Sequence, residues 1–487
     1  MCKWMLVAVA MALLGAGSSA QGACVGPEQR AVQKAINNAS AGDTVRVCAG
    51  SATWTTTRPG TSAVVINKAI TLQGATTCTG SGATLSCTDG TIINDGTGTK
   101  NGESIIRLAV SNARLTGFSL NDPRGVTDYK AMVDTAVGTS NWRIDHCKLT
   151  MSAPATRGIS AFGYGLIDHV YVGTSLNTAF AIEGNSSGDP GGSLGDGSWA
   201  APMAAGTVRA VYIEDSKIVF TPGKLLNGVV DSYAGGRYVY RFNDDSYTNL
   251  GNHGLDSTSN ARGALQSEVY HNSSFNGQMS NIYQWFNSRG GSHFIFNNVL
   301  SSAGAGYTNK LDFRVYRASG AYPPWGVCDG KNGLDGNAPG EHGYACRDQV
   351  GRGTNQGLYP GFSWSNRYGE ALLTVADIWI SDGVNSPMPN KVSQHLIIHN
   401  RDFYNEVDPF TGGSGIGIGL FANAPATCTV GVGYWATDKG FWNNRTSGVA
   451  AGALFRCAPG NTWEPYYVPF QYPHPLQGEL SVRTDVK

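Results

Sequence analysis

One short pattern recurs along the chain and constrains its fold more than any other feature. In each copy an apolar residue is followed by a polar residue and a short turn residue, so apolar side chains recur at a spacing of two. This spacing predicts β-strands rather than helices. Among the copies from Ile144 to Phe296, the longest interval separates Ile167 from Ile213 and corresponds to two coils or to one coil with an insertion. The copies begin at Ile144, Ile167, Ile213, Phe242, Tyr270, Phe296 and Ile398.

A unit of this length cannot bury its own apolar face, so it needs stacked neighbours to form a core. We therefore predict an all-β fold, a single-stranded right-handed parallel β-helix (a solenoid) in which each repeat forms one coil. Equivalent turn residues would stack at about 4.8 Å per coil, as parallel strands do. We expect a ladder of short polar side chains in the column His146, His169, Asp215, Asp244, Asn272, Asn298 and Asn400.

The two ends of the solenoid have their own signals. Helical periodicity from Gln29 to Ala41 places Val32 and Ile36 on one apolar face. An amphipathic helix here would cap the N-terminal end and cover its unpaired backbone edge. The aromatic-rich residues 427–487 predict a C-terminal cap over the last coil, with sugar binding as the alternative role of those aromatics.

The N-terminus has the layout of a secretory signal peptide over residues 1–20, with an apolar run followed by small residues. We expect the mature chain to begin near Gln21, with the β-helix over 21–426; a lipoprotein beginning at Cys24 is the alternative. No other apolar run is long enough to span a bilayer. The sequence thus predicts a secreted protein, periplasmic or extracellular, without a membrane span.

Cysteine spacing is consistent with an oxidising compartment, because eight of the nine cysteines after the signal peptide fall into near-neighbour pairs. The ninth, Cys147, is expected to be a small buried apolar residue. The spacing suggests the pairs Cys24–Cys48, Cys78–Cys87, Cys328–Cys346 and Cys428–Cys457.

Charge limits the partners of the chain. Lys plus Arg equals Asp plus Glu at 35 each, and only 14% of residues are charged. A nucleic-acid binder normally has a basic excess, so no nucleic acid is expected as a partner.

Two stretches, about 184–206 and 303–391, interrupt the coil rhythm and predict long insertions. The second is expected to form an ordered lobe beside a cleft.

Three segments near the N-terminus, VQKAI at 32–36, GDTV at 42–45 and ITLQG at 70–74, resemble the entry of the pectate-lyase-like right-handed parallel β-helix superfamily. The repeats extend this likeness to about Asn405. The resemblance implies a secreted bacterial protein that handles polysaccharides. It specifies the fold better than the activity, since lyases, hydrolases, esterases, phage tailspikes and adhesins share this scaffold.

The coils around residues 233–298 carry the richest set of candidate groups. Aligning them places Arg262 and Arg289 near the same turn on adjacent coils. Two guanidiniums at that separation repel unless an anion lies between them, and paired arginines grip a carboxylate well. We assign both arginines to binding a uronate carboxylate, or to acting as the base as in the superfamily's lyases. A structural ion pair of Arg262 with Asp256 or Glu268 is the alternative.

Other residues of these coils complete the predicted site. His253 is the alternative catalytic base, because imidazole titrates closest to neutral pH. Asp256 would orient His253, and Tyr233 and Trp285 would stack on sugar rings.

An acidic column predicts a second kind of site. Asp145 and Asp168 would lie one coil apart, and calcium is the metal that clustered carboxylate oxygens favour. Surface acids in polar turns are the alternative explanation.

The resemblance and the paired arginines together predict a lyase that cleaves an acidic, uronate-containing polysaccharide by β-elimination. A non-catalytic secreted glycan-binding, adhesin or matrix protein is the competing class. A hydrolase of the polygalacturonase type is a further alternative, because residues 243–245 (NDD) and 252–254 (NHG) loosely resemble motifs of that family. In that family these motifs lie on separate coils, whereas here they are close together in sequence.

Overall fold

A computed structural model describes residues 24–100, 102–123, 130–151, 157–174, 179–183, 197–220, 228–246, 249–254, 262–276, 284–302, 309–315, 345–381, 396–446 and 448–478.

Three long parallel sheets dominate these residues, and the chain visits the sheets in turn, as expected of an all-β solenoid. Among the described strands of the three sheets, only Arg367–Tyr368 and Ala371–Leu372 pair antiparallel. The first sheet contains β1 (Thr44–Arg46), β4 (Thr71–Gln73), β9 (Arg114–Thr116), β12 (Ser140–Asp145), β15 (Tyr164–Asp168), β18 (Val211–Glu214), β21 (Arg237–Arg241), β24 (Gln266–Tyr270), β27 (Ser292–Phe296), β30 (Gly361–Trp364) and β34 (Phe403–Asn405). The second contains β2 (Gly50–Trp54), β7 (Thr91–Asp95), β10 (Phe118–Asp122), β13 (Lys148–Met151), β16 (Tyr171–Thr174), β19 (Lys217–Phe220), β22 (Asp244–Ser246), β25 (Ser273–Asn276), β28 (Val299–Ser302), β31 (Arg367–Tyr368) and β32 (Ala371–Leu372). The third contains β3 (Val64–Ile66), β8 (Ile106–Leu108), β11 (Ala131–Thr135), β14 (Arg157–Phe162), β17 (Phe180–Glu183), β20 (Val230–Tyr233), β23 (Leu250–Asn252), β26 (Gln284–Ser288), β29 (Asn309–Arg314) and β33 (Ile378–Ser381).

Two smaller sheets and three α-helices complete the described structure. Strands β5 (Thr77–Thr79) and β6 (Ser86–Thr88) form a hairpin, and β35 (Ile416–Gly419), β36 (Gly433–Ala436), β37 (Ala453–Ala458) and β38 (Thr462–Tyr467) form a C-terminal sheet. The helices are α1 (Gln29–Asn38), α2 (Gly197–Ala200) and α3 (Pro475–Gly478). Short 3-10 helices span Gly82–Thr84, Thr354–Gln356, Val375–Asp377, Phe421–Asn423 and Asn444–Thr446.

The repeat copies stack as the spacing predicted. Ile144, Ile167 and Ile213 are direct partners on β12, β15 and β18, and all three side chains are fully buried in the core. Because Ile167 pairs with Ile213, the long interval between them is one coil with an insertion. These short strands are stable together because each coil buries one residue of this apolar column.

A ladder of asparagine side chains follows the turn between the first and second sheets. Asn243, Asn272, Asn298 and Asn366 lie on consecutive coils, and each backbone N–H donates to the Oδ1 of the next asparagine at 3.0, 3.1 and 3.2 Å. The side-chain amides repeat the pattern at 3.3, 2.9 and 2.8 Å. These bonds satisfy turn amides that the strands leave unpaired.

The predicted turn column combined residues from neighbouring columns. Asn272 and Asn298 belong to the ladder, Asp244 lies one residue after it, and Asn400 lies apart, accepting a hydrogen bond from the Gly415 N–H. The position before the ladder has left-handed φ angles of 50° to 58°, which short polar residues adopt most readily. Its members are His146, His169, Asp215, Phe242, His271, Asn297 and Ser365.

Helix α1 ends three residues before the predicted boundary at Ala41. Its predicted apolar face is present, with Val32 and Ile36 fully buried in the core that the strands share. The helix contacts β1, β2 and β3. Its capping role stays a prediction.

The C-terminal residues begin beside the last coil, where Glu406 pairs with Ile416, and also cover the side of the solenoid; their role as a cap stays a prediction. The Tyr472 ring stacks on Phe242 with centroids 3.6 Å apart, against the first sheet. Farther along, the Leu476 carbonyl accepts a hydrogen bond from Arg143 on β12 at 2.8 Å. The chain thus runs back along the outward face of the first sheet, because that face carries apolar and charged groups that need a cover.

The second predicted insertion is shorter than expected. Strands β29 to β33 lie within 303–391 and pair into the three sheets, so that part of the stretch belongs to the coils. In the first insertion, residues 184–196 lie outside the described residues, and α2 buries Trp199, whose indole nitrogen donates to the Gly263 carbonyl at 2.9 Å.

Three predicted disulfides are present: Cys24–Cys48, Cys78–Cys87 and Cys428–Cys457. Cys346 is disulfide-bonded, and its predicted partner Cys328 lies outside the described residues. Cys147 is free and buried, as expected. Among the described residues, no helix is both long and apolar enough to cross a membrane.

We expect the substitution Asn298→Ala to destabilise the protein. Asn298 is fully buried and bonds to the ladder on both sides. Its loss leaves buried partners unsatisfied, so the free energy of unfolding should fall by about 3 kcal/mol. Urea unfolding followed by circular dichroism measures this. Asn121→Ala, whose side chain makes a hydrogen bond of 3.4 Å outside the ladder, is the control; equal losses in both variants would contradict the prediction.

Stability should also depend on the protonation of Glu268 beneath the C-terminal segment. Burial raises the pKa of Glu268 to about 7, against opposing hydrogen bonds that include one from the Tyr467 hydroxyl at 2.6 Å. Between pH 4.5 and about pH 7 the folded state therefore binds more protons than the unfolded state, so stability falls as pH rises through this window. Across this window the free energy of unfolding of the wild type should fall by up to about 3 kcal/mol, and Glu268→Gln should remove that fall. Thermal unfolding across the window measures it, and a slope equal to that of wild type would refute the assignment; Glu370→Gln, at an exposed position, is the control.

Candidate functional site

The predicted pair of arginines, Arg262 and Arg289, does not form, because Arg262 is fully buried in an ion pair. Its Nε and Nη2 atoms donate to Asp348 at 2.7 and 2.5 Å, and its guanidinium lies over Trp199 at 5.3 Å. Glu268 is not among the partners that these contacts give it, and Asp256 lies outside the described residues. Arg262 therefore holds residues around Asp348 against the coils and is a structural residue.

The outward face of the third sheet brings other polar groups together on β20, β23, β26 and β29. Register places Asp231, Gly251, Asn287 and Asp312 in one outward column. A second column lies two residues farther along each coil. The residues just before it are paired, Ser232 with Asn252, Asn252 with Ser288 and Ser288 with Phe313. We call these two columns, together with Arg157, the His253 cluster; the second column is Tyr233, His253, Arg289 and Arg314.

His253 lies at the centre of the cluster and is held on both ring nitrogens. Its Nε2 atom is 2.6 Å from Oδ1 of Asp231, and its Nδ1 atom is 3.1 Å from Nη2 of Arg289. Since a guanidinium can only donate, these contacts select the tautomer with the proton on Nε2. A quarter of the side chain is exposed, and Nδ1 is the ring nitrogen without a proton in this tautomer.

Asp231 provides a buried negative charge behind the imidazole. Burial raises its pKa, but the neighbouring His253, with which it forms a hydrogen bond, and the guanidiniums of Arg157 and Arg289 outweigh burial and hold the pKa below its usual value. A carboxylate in this position stabilises an imidazolium if His253 accepts a proton.

Tyr233 was predicted to contact substrate and does lie in the cluster. Its hydroxyl oxygen accepts a hydrogen bond from Arg157 at 3.0 Å, and its ring meets the His253 ring edge-on at 5.9 Å. The Arg157 guanidinium also lies over the tyrosine ring at 5.5 Å. This hydroxyl is therefore fixed beside the imidazole.

A different pair of arginines occupies adjacent coils. Arg289 and Arg314 follow the paired residues Ser288 and Phe313, and Arg314 forms an ion pair with Asp312. Within the described part of the chain, Nε of Arg314 has no hydrogen-bond partner although it is buried.

Asn287 adds a second unsatisfied atom to the same face. It lies beside Asp312 in the first column, and among the described residues its buried Oδ1 has no hydrogen-bond partner. Buried polar atoms are nearly always satisfied, so these donors and acceptors suit a polar ligand.

Of the two other predicted substrate-binding residues, the structure describes only Trp285. Trp285 is fully buried in the core, and its indole nitrogen donates to Ser274 at 2.9 Å, so it cannot stack on a sugar. Asp256 lies outside the described residues. Asp231 takes the orienting role that was predicted for Asp256.

The acidic column on the first sheet is buried and already paired. Asp145 accepts two hydrogen bonds from Arg114 at 2.6 and 2.5 Å, and Asp168 accepts two from Arg143 at 2.8 Å each. Calcium binding there stays a prediction. The guanidiniums account for both negative charges without it.

The two motifs considered for hydrolysis do not meet. Asp244 and Asp245 lie on β22 in the second sheet, and Asp245 is buried, accepting a hydrogen bond from the Tyr240 hydroxyl at 2.9 Å. His253 follows β23 in the third sheet. These motifs therefore do not provide a pair of facing carboxylates.

Five polar or charged members of the cluster were missed: Asp231, Asn287, Asp312, Arg314 and Arg157. Asp231 could have been found by register, since it lies on the coil before His253. Arg314 was assigned to an insertion, and Arg157 carried no motif signal.

The two arginines should respond differently to truncation. Arg262→Ala leaves the buried carboxylate of Asp348 without its counter-charge, which should cost about 3–5 kcal/mol of unfolding free energy. Arg289 is only partly buried, so Arg289→Ala should cost about 1 kcal/mol or less. Chemical denaturation of both variants tests this, and a larger loss for Arg289→Ala would overturn the assignment.

No protein-family model matches the chain, and no curated protein matches its sequence. Its function must therefore be inferred from its own residues.

Proposed function

We propose that this chain is a secreted, right-handed parallel β-helix of the pectate-lyase-like kind that acts on an acidic polysaccharide, as a lyase cleaving uronate-containing glycan by β-elimination. The observation that supports this most is the placement of His253 between Asp231 and Arg289. A base, a carboxylate that steadies it and a guanidinium for the sugar acid are the groups that this reaction needs.

Arg289 and Arg314 bind the uronate carboxylate. Paired guanidiniums neutralise its charge, and the C–H bond next to the carboxylate becomes more acidic as a result. The unsatisfied Nε of Arg314 supplies a donor that no described residue uses. The first column offers Asn287 Oδ1 as an acceptor for a sugar hydroxyl.

Substrate binding also activates the base. When the carboxylate draws the Arg289 guanidinium away, the Nδ1 atom of His253 loses its hydrogen bond and becomes available. It takes the proton from the carbon next to the carboxylate, while Nε2–H remains bonded to Asp231 and the imidazolium is stabilised.

The electron pair of the broken C–H bond forms a carbon–carbon double bond, and the bond to the glycosidic oxygen breaks. That oxygen takes a proton from the Tyr233 hydroxyl, which Arg157 holds in place. The products are an unsaturated uronate and a new chain end.

The outward face of the first sheet is a poor alternative location for this chemistry. The C-terminal segment covers it, and its acidic groups are paired with arginines. On the third sheet His253 and Arg289 are partly exposed, which favours an anionic glycan.

We expect His253→Ala to lower kcat by about 10²–10⁴-fold, because the general base is lost. Arg289→Ala should lower kcat and raise KM, since it also removes a carboxylate contact. The measurement is the ultraviolet absorbance of the unsaturated product during incubation with a panel of uronate polysaccharides. Arg209→Ala, at an exposed position away from the His253 cluster, is the matched control and should keep wild-type rates.

Two results would contradict the proposal. One is full activity in His253→Ala. The other is glycan binding by the wild-type chain without product from any member of the panel, which would support the non-catalytic glycan-binding class.

A further inference from the structure

Two histidines that the proposed function does not use form a pair on the turn between the first and second sheets. The His146 and His169 rings are stacked, with centroids 4.9 Å apart and planes 7° from parallel. They follow Asp145 and Asp168, which are direct partners on β12 and β15. Both have left-handed backbones, with φ of 50° and 52°, so the two side chains leave the turn in the same direction.

A buried carboxylate orients each imidazole. The Nδ1 atom of His146 is 2.7 Å from Asp145, and that of His169 is 2.8 Å from Asp168. Both carboxylates are fully buried, whereas the imidazole side chains are 34% and 17% exposed, so the opposite ring edges point toward solvent. In the described part of the chain, neither Nε2 atom has a hydrogen-bond partner. A carboxylate behind an imidazole is the arrangement that fixes metal-binding histidines in proteins.

The chemistry of these groups selects the kind of metal. Asp145 and Asp168 already receive hydrogen bonds from Arg114 and Arg143, so their oxygens are poor direct ligands for a hard cation such as calcium. Imidazole nitrogen suits zinc and copper. Donor atoms of His146, His169 and Asp168 lie within 4.8 Å of one another, which is close enough for a modest tilt of the rings to bring both nitrogens to one ion.

We propose that His146 and His169 bind one divalent transition-metal ion, Cu²⁺ or Zn²⁺, through their Nε2 atoms. Asp145 and Asp168 are positioning residues, and water completes the coordination. This site is independent of the His253 cluster, which lies on the third sheet.

A neighbouring ring pair shows that stacking alone does not explain the site. Phe242 and His271 occupy the same turn column and stack with centroids 4.9 Å apart. That pair is covered by Trp442, and burial lowers the pKa of His271 to about 4. By contrast, the His146 and His169 rings are partly exposed, and each contacts a buried carboxylate. The carboxylates and the exposure therefore distinguish the His146–His169 pair from a purely structural stack.

The test is titration of the full chain with Cu²⁺ alone, followed by electron paramagnetic resonance, and with Zn²⁺ alone by calorimetry. We expect one equivalent of each metal bound with two nitrogen ligands from imidazole. His146→Asn and His169→Asn should each weaken binding at least tenfold, and asparagine is compatible with this left-handed position, as Asn297 shows. Asp168→Asn should weaken binding by about 10–100-fold through loss of orientation.

His399→Ala is the matched control, because His399 is a half-buried histidine outside the pair. It should leave the affinity unchanged. Circular dichroism of each variant checks its fold, and the partly exposed His146 gives a usable variant if His169→Asn does not fold. Unchanged affinity in His146→Asn, or an equal loss in His399→Ala, would overturn the proposal.

Discussion

Backbone hydrogen bonds between successive parallel coils are the interaction on which the rest of this structure depends. They place each residue beside its equivalent on the next coil, at about 4.8 Å per step. This register builds the apolar column of Ile144, Ile167 and Ile213, and it also builds every polar column. His253 and Arg289 are far apart in sequence but adjacent in space, because the strands before them pair residue by residue.

Stacking in register brings like charges close together where they occupy successive positions of a column, and these charges repel. Asp145, Asp168 and Glu214 stack on the first sheet, and each is neutralised by an arginine, from the same or a neighbouring coil. Burial raises the pKa of Glu214, and Arg241 opposes that effect. The C-terminal segment then covers these pairs, with Arg241 donating to two of its backbone carbonyls at 2.7 and 2.8 Å. The outward face of the first sheet therefore holds the C-terminal segment in place. The third sheet is the better candidate for the catalytic site.

Much of the architecture could be predicted because its causes are local. Apolar alternation predicts strands, and the helical periodicity around Val32 and Ile36 predicts α1. The turn column was predicted one residue out of register at His146 and His169, because these polar residues have the left-handed backbone and the next position is occupied there by the apolar residues Cys147 and Val170. A pattern of residue types alone does not separate these adjacent positions.

The site was predicted only in part, for a physical reason. The sequence alignment placed Arg289 beside Arg262, whereas the register of the strands places it beside His253. Trp285 looked suitable for sugar stacking by residue type, yet its indole is buried against Ser274. Side-chain chemistry does not reveal which way a residue at a strand end turns.

The sequence by itself determined the strand repeat, the parallel stacking it implies and the disulfide pairs Cys24–Cys48, Cys78–Cys87 and Cys428–Cys457. These follow from short-range patterns. Only the tertiary structure decided which columns are covered and which charges are already paired. Asp348 reaches Arg262 across 86 positions, and the Phe470 carbonyl reaches Arg241 across 229. Burial and charge balance depend on such distant segments, so no local pattern contains them.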